Sequence, residues 1–258
     1  MRNNRVWRWT SAGITESGNK LIDMHKNELY GKCKARQIQL KHVCEIGVNT
    51  PEKSNILDFI RKDKIRATLI EPDQKCITAI RSFFAEDANV MLFPYAIYDY
   101  NGMLELAQRG ESTFATSLPF SPAVVNDRYT VKKEDTFQVE CRRFDDLDDG
   151  SIDLLSIDTE GCEWYALKYL KSRPQIISLE THGKEYSNPY LTEILGWMEQ
   201  NGYKRWFITK SDSVFYKDGA LVPDAEDRRQ LHSMDRYIKF RKFRKKLVNS
   251  LKFWKKTA

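Results

Sequence analysis

Apolar positions along the chain fall into two rhythms. Continuous apolar runs occur at QLKHVCEIG (39–47), ATLIEP (67–72), NVMLFPYAI (89–97), SIDLLSID (151–158) and PQIISLE (174–180). Runs of that length read as strands buried on both faces. Between them apolar residues recur at steps of three and four, as Ile77, Ile80 and Phe84 do within 74–86. That is the period of one helix face. Further helices are expected over 20–37, 53–62, 162–171 and 190–201, the last closed by Asn201-Gly202. Strand and helix in alternation predict right-handed βαβ units and a parallel sheet. The rhythm changes twice. GMLELAQ (102–108), STFATSL (112–118) and TFQVECRRF (136–144) read as extra, partly antiparallel strands, and KRWFITK (204–210) with SVFYKDG (213–219) as a terminal antiparallel pair around Ser211-Asp212. The expected architecture is a doubly wound α/β domain over 39–222, preceded by a helical extension (1–38) and followed by a basic amphipathic helix (223–258).

Composition sharpens this picture. With 258 residues, 41% of them hydrophobic, the chain can bury a core without disulfides or metal. Its five cysteines (33, 44, 76, 141 and 162) form no CxxC pair, so neither a disulfide framework nor a zinc site is indicated. The reducing cytosol is the expected compartment. No apolar run reaches the ~18 residues of a spanning helix. The basic start MRNNRVWRWT lacks the apolar region of a secretory signal.

The net charge of +6 is uneven. From Arg228 onward twelve Lys/Arg face one acid, Asp235, which leaves residues 1–227 at −5. In that tail Phe240, Phe243, Leu247, Leu251 and Trp254 share one helical stripe, with Lys239, Lys242, Lys245, Lys246, Lys252 and Lys256 on the remaining arc. An anionic membrane surface is the expected partner. Packing on the body or within a homo-oligomer, and nucleic acid, are the alternatives.

In open α/β sheets ligands bind outside the carboxyl ends of the strands, where the strand order reverses. Four polar clusters fall at such ends. Gly47, in Glu45-Ile46-Gly47-Val48-Asn49, permits a tight turn and close backbone approach, although no G-x-G-x-x-G is present. Glu71, followed by Pro72 and Asp73, lies 24 residues further on, where an acid accepts hydrogen bonds from ribose hydroxyls; the ordinary alternative is a helix cap, for which Asp73 is better suited. Asp158 and Glu160, in Asp158-Thr159-Glu160-Gly161-Cys162-Glu163, can bind a metal, hold a cationic ligand or act as base. Glu163 opens the next helix and complements its dipole. Finally His182, in Glu180-Thr181-His182-Gly183, suits proton abstraction beside a carboxylate, although a lone histidine is as readily structural.

Taken in order, VCEIGVN, ATLIEPD, VMLFPYAIYDYNGMLEL, TFQVECRRFDDL, IDLLSIDTEGCEWYALKYL and IISLETHG resemble the FkbM family of S-adenosylmethionine-dependent methyltransferases, from about residue 40 to 217. The resemblance implies a class I methyltransferase sheet of seven strands and methyl transfer to oxygen, with S-adenosylmethionine as cofactor. It implies that Glu45, Gly47 and Asn49 line the methionine part, that Glu71 beside Pro72 holds the ribose, that Tyr95 and Ala96 meet adenine, and that Asp158 lies beside methionine or acceptor. The chain departs from the family at Pro51, where a second glycine is usual, and at Glu45, where aspartate is usual.

The leading expectation is therefore an O-methyltransferase acting on a sugar hydroxyl of a surface glycan or lipid-linked saccharide, cytoplasmic and peripheral on the inner membrane face. Asp158, Glu160 and His182 are its candidate catalytic groups. A divalent ion held by Asp158 with Glu160 or His182 is chemically admissible, but no ligand spacing specifies one. The competing reading is a non-catalytic binding module whose cofactor loop Pro51 disables. A nucleic-acid methyltransferase is disfavoured, because a phosphate backbone wants a basic groove and the body carries −5.

Overall fold

The computed structural model describes residues 28–110, 112–118, 120–183, 186–209, 211–237 and 239–240. Helix α1 (Glu28–Ala35) leads into strand β1 (His42–Ile46). Helix α2 (Leu57–Arg61), β2 (Arg66–Ile70), α3 (Gln74–Phe83) and β3 (Val90–Phe93) follow as βαβ units. After an insertion the chain returns with β8 (Leu154–Ile157), α5 (Glu163–Lys168), β9 (Ile176–Glu180), α6 (Leu191–Gln200), β10 (Tyr203–Ile208) and β11 (Asp212–Lys217). The seven strands stand in the order β10-β11-β9-β8-β1-β2-β3. Only β11 runs against its neighbours, pairing antiparallel with both β9 and β10. The sheet is thus doubly wound, and its order reverses between β1 and β8.

Two apolar layers sandwich it. Val43, Leu69 and Leu154 face one way and pack with Phe59, Ile80 and Trp206. Cys44, Ile70 and Leu155 face the other way and pack with Ala166, Leu167 and Ile194. All five residues of β1 and all four of β8 are buried, which is why their sequences show no alternation.

The insertion builds a second sheet. The expected strand over 89–97 is split: β3 ends at Phe93, and β4 (Ala96–Ile97) belongs to the other sheet. Pro94 accounts for this, because it has no N–H to continue the ladder. β4, β5 (Gly102–Arg109), β6 (Ser112–Ala115) and β7 (Thr136–Arg142) form a four-stranded sheet in the order β4-β7-β5-β6. A short helix, α4 (Pro122–Asp127), was not expected from periodicity, though Ser121 caps it by accepting from the Val124 N–H and Pro122 opens it, a recognisable start signal. The helix expected over 53–62 is reduced to a 3-10 turn (Pro51–Lys53) and the five residues of α2.

Residues 225–237 are helical. Asp224 and Asp227 cap this helix reciprocally, and Asp227 is 2% exposed. Arg36, just after α1, reaches Asp224 at 2.7 Å and Asp227 at 2.5 Å, and Lys32 of α1 reaches Asp227 at 3.1 Å. The start of the basic helix is therefore clamped to the body. Phe240 is 60% exposed; Phe243, Leu247, Leu251 and Trp254, expected on the membrane-facing stripe, lie outside the described residues. No helix among the described residues is long and apolar enough to cross a membrane.

Burial alone would raise the Asp227 pKa; hydrogen bonds from Arg36 and Lys32 outweigh it and hold the carboxyl down at about 2. The sign is that of a depressed acid. Its contribution is full above the unfolded value near 4 and is lost as pH falls through about 2, and it amounts to about 2 kcal/mol. Asp227→Ala is expected to lower unfolding free energy at pH 7 by roughly 3 kcal/mol, since it also leaves Arg36 half-buried without that partner. Urea denaturation at pH 7 and pH 3 checks this: the gap between wild type and variant narrows at the lower pH.

Candidate active site

The reversal between β1 and β8 opens a cleft at the carboxyl ends of the strands, where a doubly wound sheet binds its ligand. The cleft encloses about 700 Å³ of space, its open mouth included.

Its floor is the meeting of two strand ends. Asp158 N–H donates to the Ile46 carbonyl at 2.9 Å, and Gly47 N–H to the Ile70 carbonyl at 2.9 Å. Gly47 has φ +83°, and a Cβ there would stand 1.8 Å from the Asp158 carbonyl oxygen. Only glycine fits. Asn49 continues the turn at φ +57°, a conformation asparagine tolerates better than most residues.

Glu71, at the end of β2, holds this loop. Its Oε2 accepts from the Asn49 N–H at 2.8 Å and its Oε1 from the Asp73 N–H at 2.9 Å. Burial pushes its pKa up, and hydrogen bonds from backbone N–H groups oppose that rise. A carboxylate offers about four acceptor positions. One acceptor position therefore remains on each oxygen, enough for the two ribose hydroxyls. Pro72, Tyr95 and Ala96 also line the cleft. Asp73 turns away from this work and caps α3 through the Lys75 N–H at 2.7 Å.

Glu45 lies elsewhere. It is 2% exposed and outside the cleft wall, and it accepts from Ser54 Oγ at 2.5 Å and Asn55 N–H at 2.8 Å. Burial raises its pKa to about 7. It fastens the segment beyond the turn. Pro51 opens the 3-10 turn there, where an N–H has no partner to lose. It does not line the cleft either.

Asp158 and Glu160 both line the cleft, and Asp158 is exposed to it. Glu163 fixes the intervening turn: its Oε1 accepts from Thr159 N–H (2.9 Å), Thr159 Oγ1 (3.1 Å) and Gly161 N–H (3.2 Å), while its Oε2 accepts from Asn188 Nδ2 at 2.5 Å. It is 0% exposed. Desolvation, followed by Glu160, Asp212 and Glu163, raises the Asp158 pKa well above the ordinary carboxylate range. Glu180 is raised likewise by burial and by Asp158. Asp212 stands opposite Glu180 in the β9–β11 register. The expectation that the β9 end lies beside Asp158 singles out His182 there rather than Glu180, and nothing local in the sequence shows that β11 brings Asp212 beside β9.

His182 is not part of the cleft wall. Its ring Nδ1 lies 2.8 Å from Thr181 Oγ1, its N–H donates to the Ser211 carbonyl, and it pairs with Ser187. The opposite wall comes from the second sheet, through Leu104 and Leu106 of β5 and Thr113, Phe114 and Ala115 of β6. Cys76 also faces the cleft, but burial pushes its thiol up to about 12, so it is no nucleophile. The acid at the β2 end, the glycine turn and the apolar wall together fit S-adenosylmethionine.

A family model, the methyltransferase FkbM domain, matches residues 45–205. No curated protein matches the chain. Solved structures with a similar fold include a precorrin-6y C5,15-methyltransferase from Geobacter metallireducens (15% identity, TM-score 0.39, covering 81% of this chain and 92% of that one). A putative caffeoyl-CoA O-methyltransferase from Staphylococcus aureus gives 14%, 0.43, 80% and 85% in the same order. Aeropyrum pernix fibrillarin with bound S-adenosyl-L-methionine gives 8%, 0.43, 75% and 73%. The family match spans more than half the chain and includes both strand ends that meet at the cleft floor, so this protein belongs to the FkbM family of S-adenosylmethionine-dependent methyltransferases.

Proposed function

We propose that the protein transfers a methyl group to a hydroxyl oxygen of a sugar, in a surface glycan or lipid-linked saccharide. The observation that carries the oxygen assignment is Asp158, an exposed carboxyl at the cleft floor whose surroundings strengthen it as a base. The sugar is supported by family membership alone. When bound, S-adenosylmethionine supplies the methyl group on its sulfonium centre. Gly47, Asn49, Glu71, Pro72, Tyr95 and Ala96 would hold it.

The chain's own work is alignment and proton removal. The acceptor oxygen must approach in line, and Leu104, Leu106 and Phe114 form an apolar wall that excludes water from that path. Asp158 takes the hydroxyl proton. Its place at the floor of the cleft, and after that Glu160 beside it, hold its pKa above the ordinary carboxylate range, which makes it a stronger base than a carboxylate on the open surface. The Glu163 hydrogen bonds keep both on a rigid turn. His182 takes no part in this scheme.

Asp158→Asn keeps the shape and removes the base. Turnover is expected to fall about 100-fold, with cofactor affinity measured calorimetrically changing far less. Assay against a panel of saccharide acceptors with labelled cofactor tests the whole reading. Methyl incorporation into amines but not hydroxyls would overturn it.

A further inference from the structure

The inner end of the cleft carries more carboxyl groups than proton removal requires. Carboxylate oxygens of Asp158, Glu163 and Glu180 lie within 4.8 Å of one another. They come from the residue after β8, the first residue of α5 and the last of β9. One oxygen of this cluster and one further group beside it lack partners. Glu180 Oε2 is buried and accepts no hydrogen bond. Tyr186 is 1% exposed, and its hydroxyl is buried with no partner. That hydroxyl faces the carboxyl group cluster: it stands 3.6 Å from the position of a Cβ on Gly161, and Glu163, Glu180 and Glu160 are the charges nearest in effect. Buried polar atoms are left unsatisfied only at a cost, and here both a carboxylate oxygen of the cluster and the Tyr186 hydroxyl are left so.

We propose that Asp158, Glu163 and Glu180 hold a divalent cation at the base of the cleft. Oxygens on opposite sides of a Ca²⁺ ion are about 5 Å apart, and on Mg²⁺ about 4 Å. Oxygens that all lie within 4.8 Å of one another can close on an ion of either size with little rearrangement. Three carboxylates are hard donors of the kind that Mg²⁺, Ca²⁺ and Mn²⁺ prefer over Zn²⁺. Glu163 keeps Oε1 for the 159–161 turn and offers Oε2, which Asn188 Nδ2 already orients. Glu180 supplies the oxygen that has no other use, and Asp158 the one that reaches the cleft. The Tyr186 hydroxyl donates to a water on the ion. The cation neutralises repulsion among these groups and Asp212. A role in lowering the acceptor hydroxyl's pKa rests on the O-methylation reading; the binding does not.

Mn²⁺ titrated into the full-length protein, without cofactor or acceptor and followed by electron paramagnetic resonance, tests the site. The expected result is one ion per chain, displaced by Ca²⁺ or Mg²⁺. Glu180→Gln is expected to weaken binding about tenfold or more and Tyr186→Phe several-fold, whereas Asp63→Asn, which pairs with Lys34 on the surface, changes nothing. If circular dichroism shows Glu180→Gln unfolded, Asp158→Asn is read in its place. No bound Mn²⁺ at about 1 mM, or equal binding in the correctly folded Glu180→Gln protein, overturns the proposal. Mn²⁺ binding combined with full turnover in EDTA keeps the site and removes its part in methyl transfer.

Discussion

Gly47→Ala is expected to unfold the cleft floor, lowering stability by at least about 4 kcal/mol and abolishing cofactor binding. The new methyl would stand 1.8 Å from the Asp158 carbonyl oxygen. That atom belongs to backbone in a parallel strand pair, so no side-chain rotation relieves the clash. Relief means prising β8 from β1 at the Ile46–Ile157 end, which sacrifices the Asp158 N–H bond to Ile46 and the Gly47 N–H bond to Ile70. Alanine also strains at φ +83°, by roughly 1–2 kcal/mol. In a domain of this size 4 kcal/mol lowers the melting temperature by about 10 °C. Gly196→Ala is the internal control. It lies inside α6 with nothing within 4 Å of the added Cβ, so it should stabilise by up to about 1 kcal/mol. Calorimetric melting of both variants checks the pair; a Gly47→Ala protein melting like wild type would show that the two strand ends are further apart than described.

That contact also shows what could be read from sequence and what could not. The buried strands around Val43, Leu69 and Leu155 announce themselves as apolar runs because both their faces are covered. The glycine after β1 and the acid after β2 stand out because they interrupt such runs at ligand-facing ends. Each of these signals is local. The arrival of Asp212 beside Glu180 is not, since it depends on β11 returning between β9 and β10; Glu180 itself reaches Asp158 because β9 is the parallel neighbour of β8. Hydrophobic pattern shows that 203–217 forms a hairpin but not which of its strands sits beside β9. The second sheet's wall over the cleft is hidden for the same reason: Leu104 and Phe114 look like any core residues. Pro94 carried a readable sign of the strand break, and Ser121-Pro122 a readable helix start. Both were subordinate to the apolar periodicity around them. Glu45 shows the opposite failure. An acid two residues before the glycine, at the end of β1, looks like a ligand contact, yet its side chain points to Ser54 and Asn55 and serves the loop.

Glu71→Ala is expected to weaken S-adenosylmethionine binding nearly a thousandfold, more than the loss of a ribose contact would explain. The carboxylate has two jobs. One is to accept a ribose hydroxyl, a charge-assisted bond of about 2 kcal/mol. The other is to hold the loop after β1 and the turn after β2 through the Asn49 and Asp73 N–H groups. Alanine leaves those donors without an acceptor in a site that is 4% exposed, at about 1 kcal/mol for each of at least two. Together these reach about 4 kcal/mol, nearly three decades of affinity. Glu71→Gln separates the two jobs. It keeps one acceptor oxygen but turns an NH₂ toward a backbone N–H, so the loop stays partly held and the loss should fall between wild type and alanine. Glu71→Asp keeps the charge and shortens the reach, and should lose mainly the loop bonds. Titration calorimetry with S-adenosylhomocysteine, read beside melting of the apo proteins, distinguishes the contributions. If Glu71 only contacts ribose, the three apo proteins melt together while affinities diverge. If it also pins the loop, apo stability falls in the order glutamate, glutamine, alanine, and Asn49→Gly loosens the same loop in the presence of an intact Glu71.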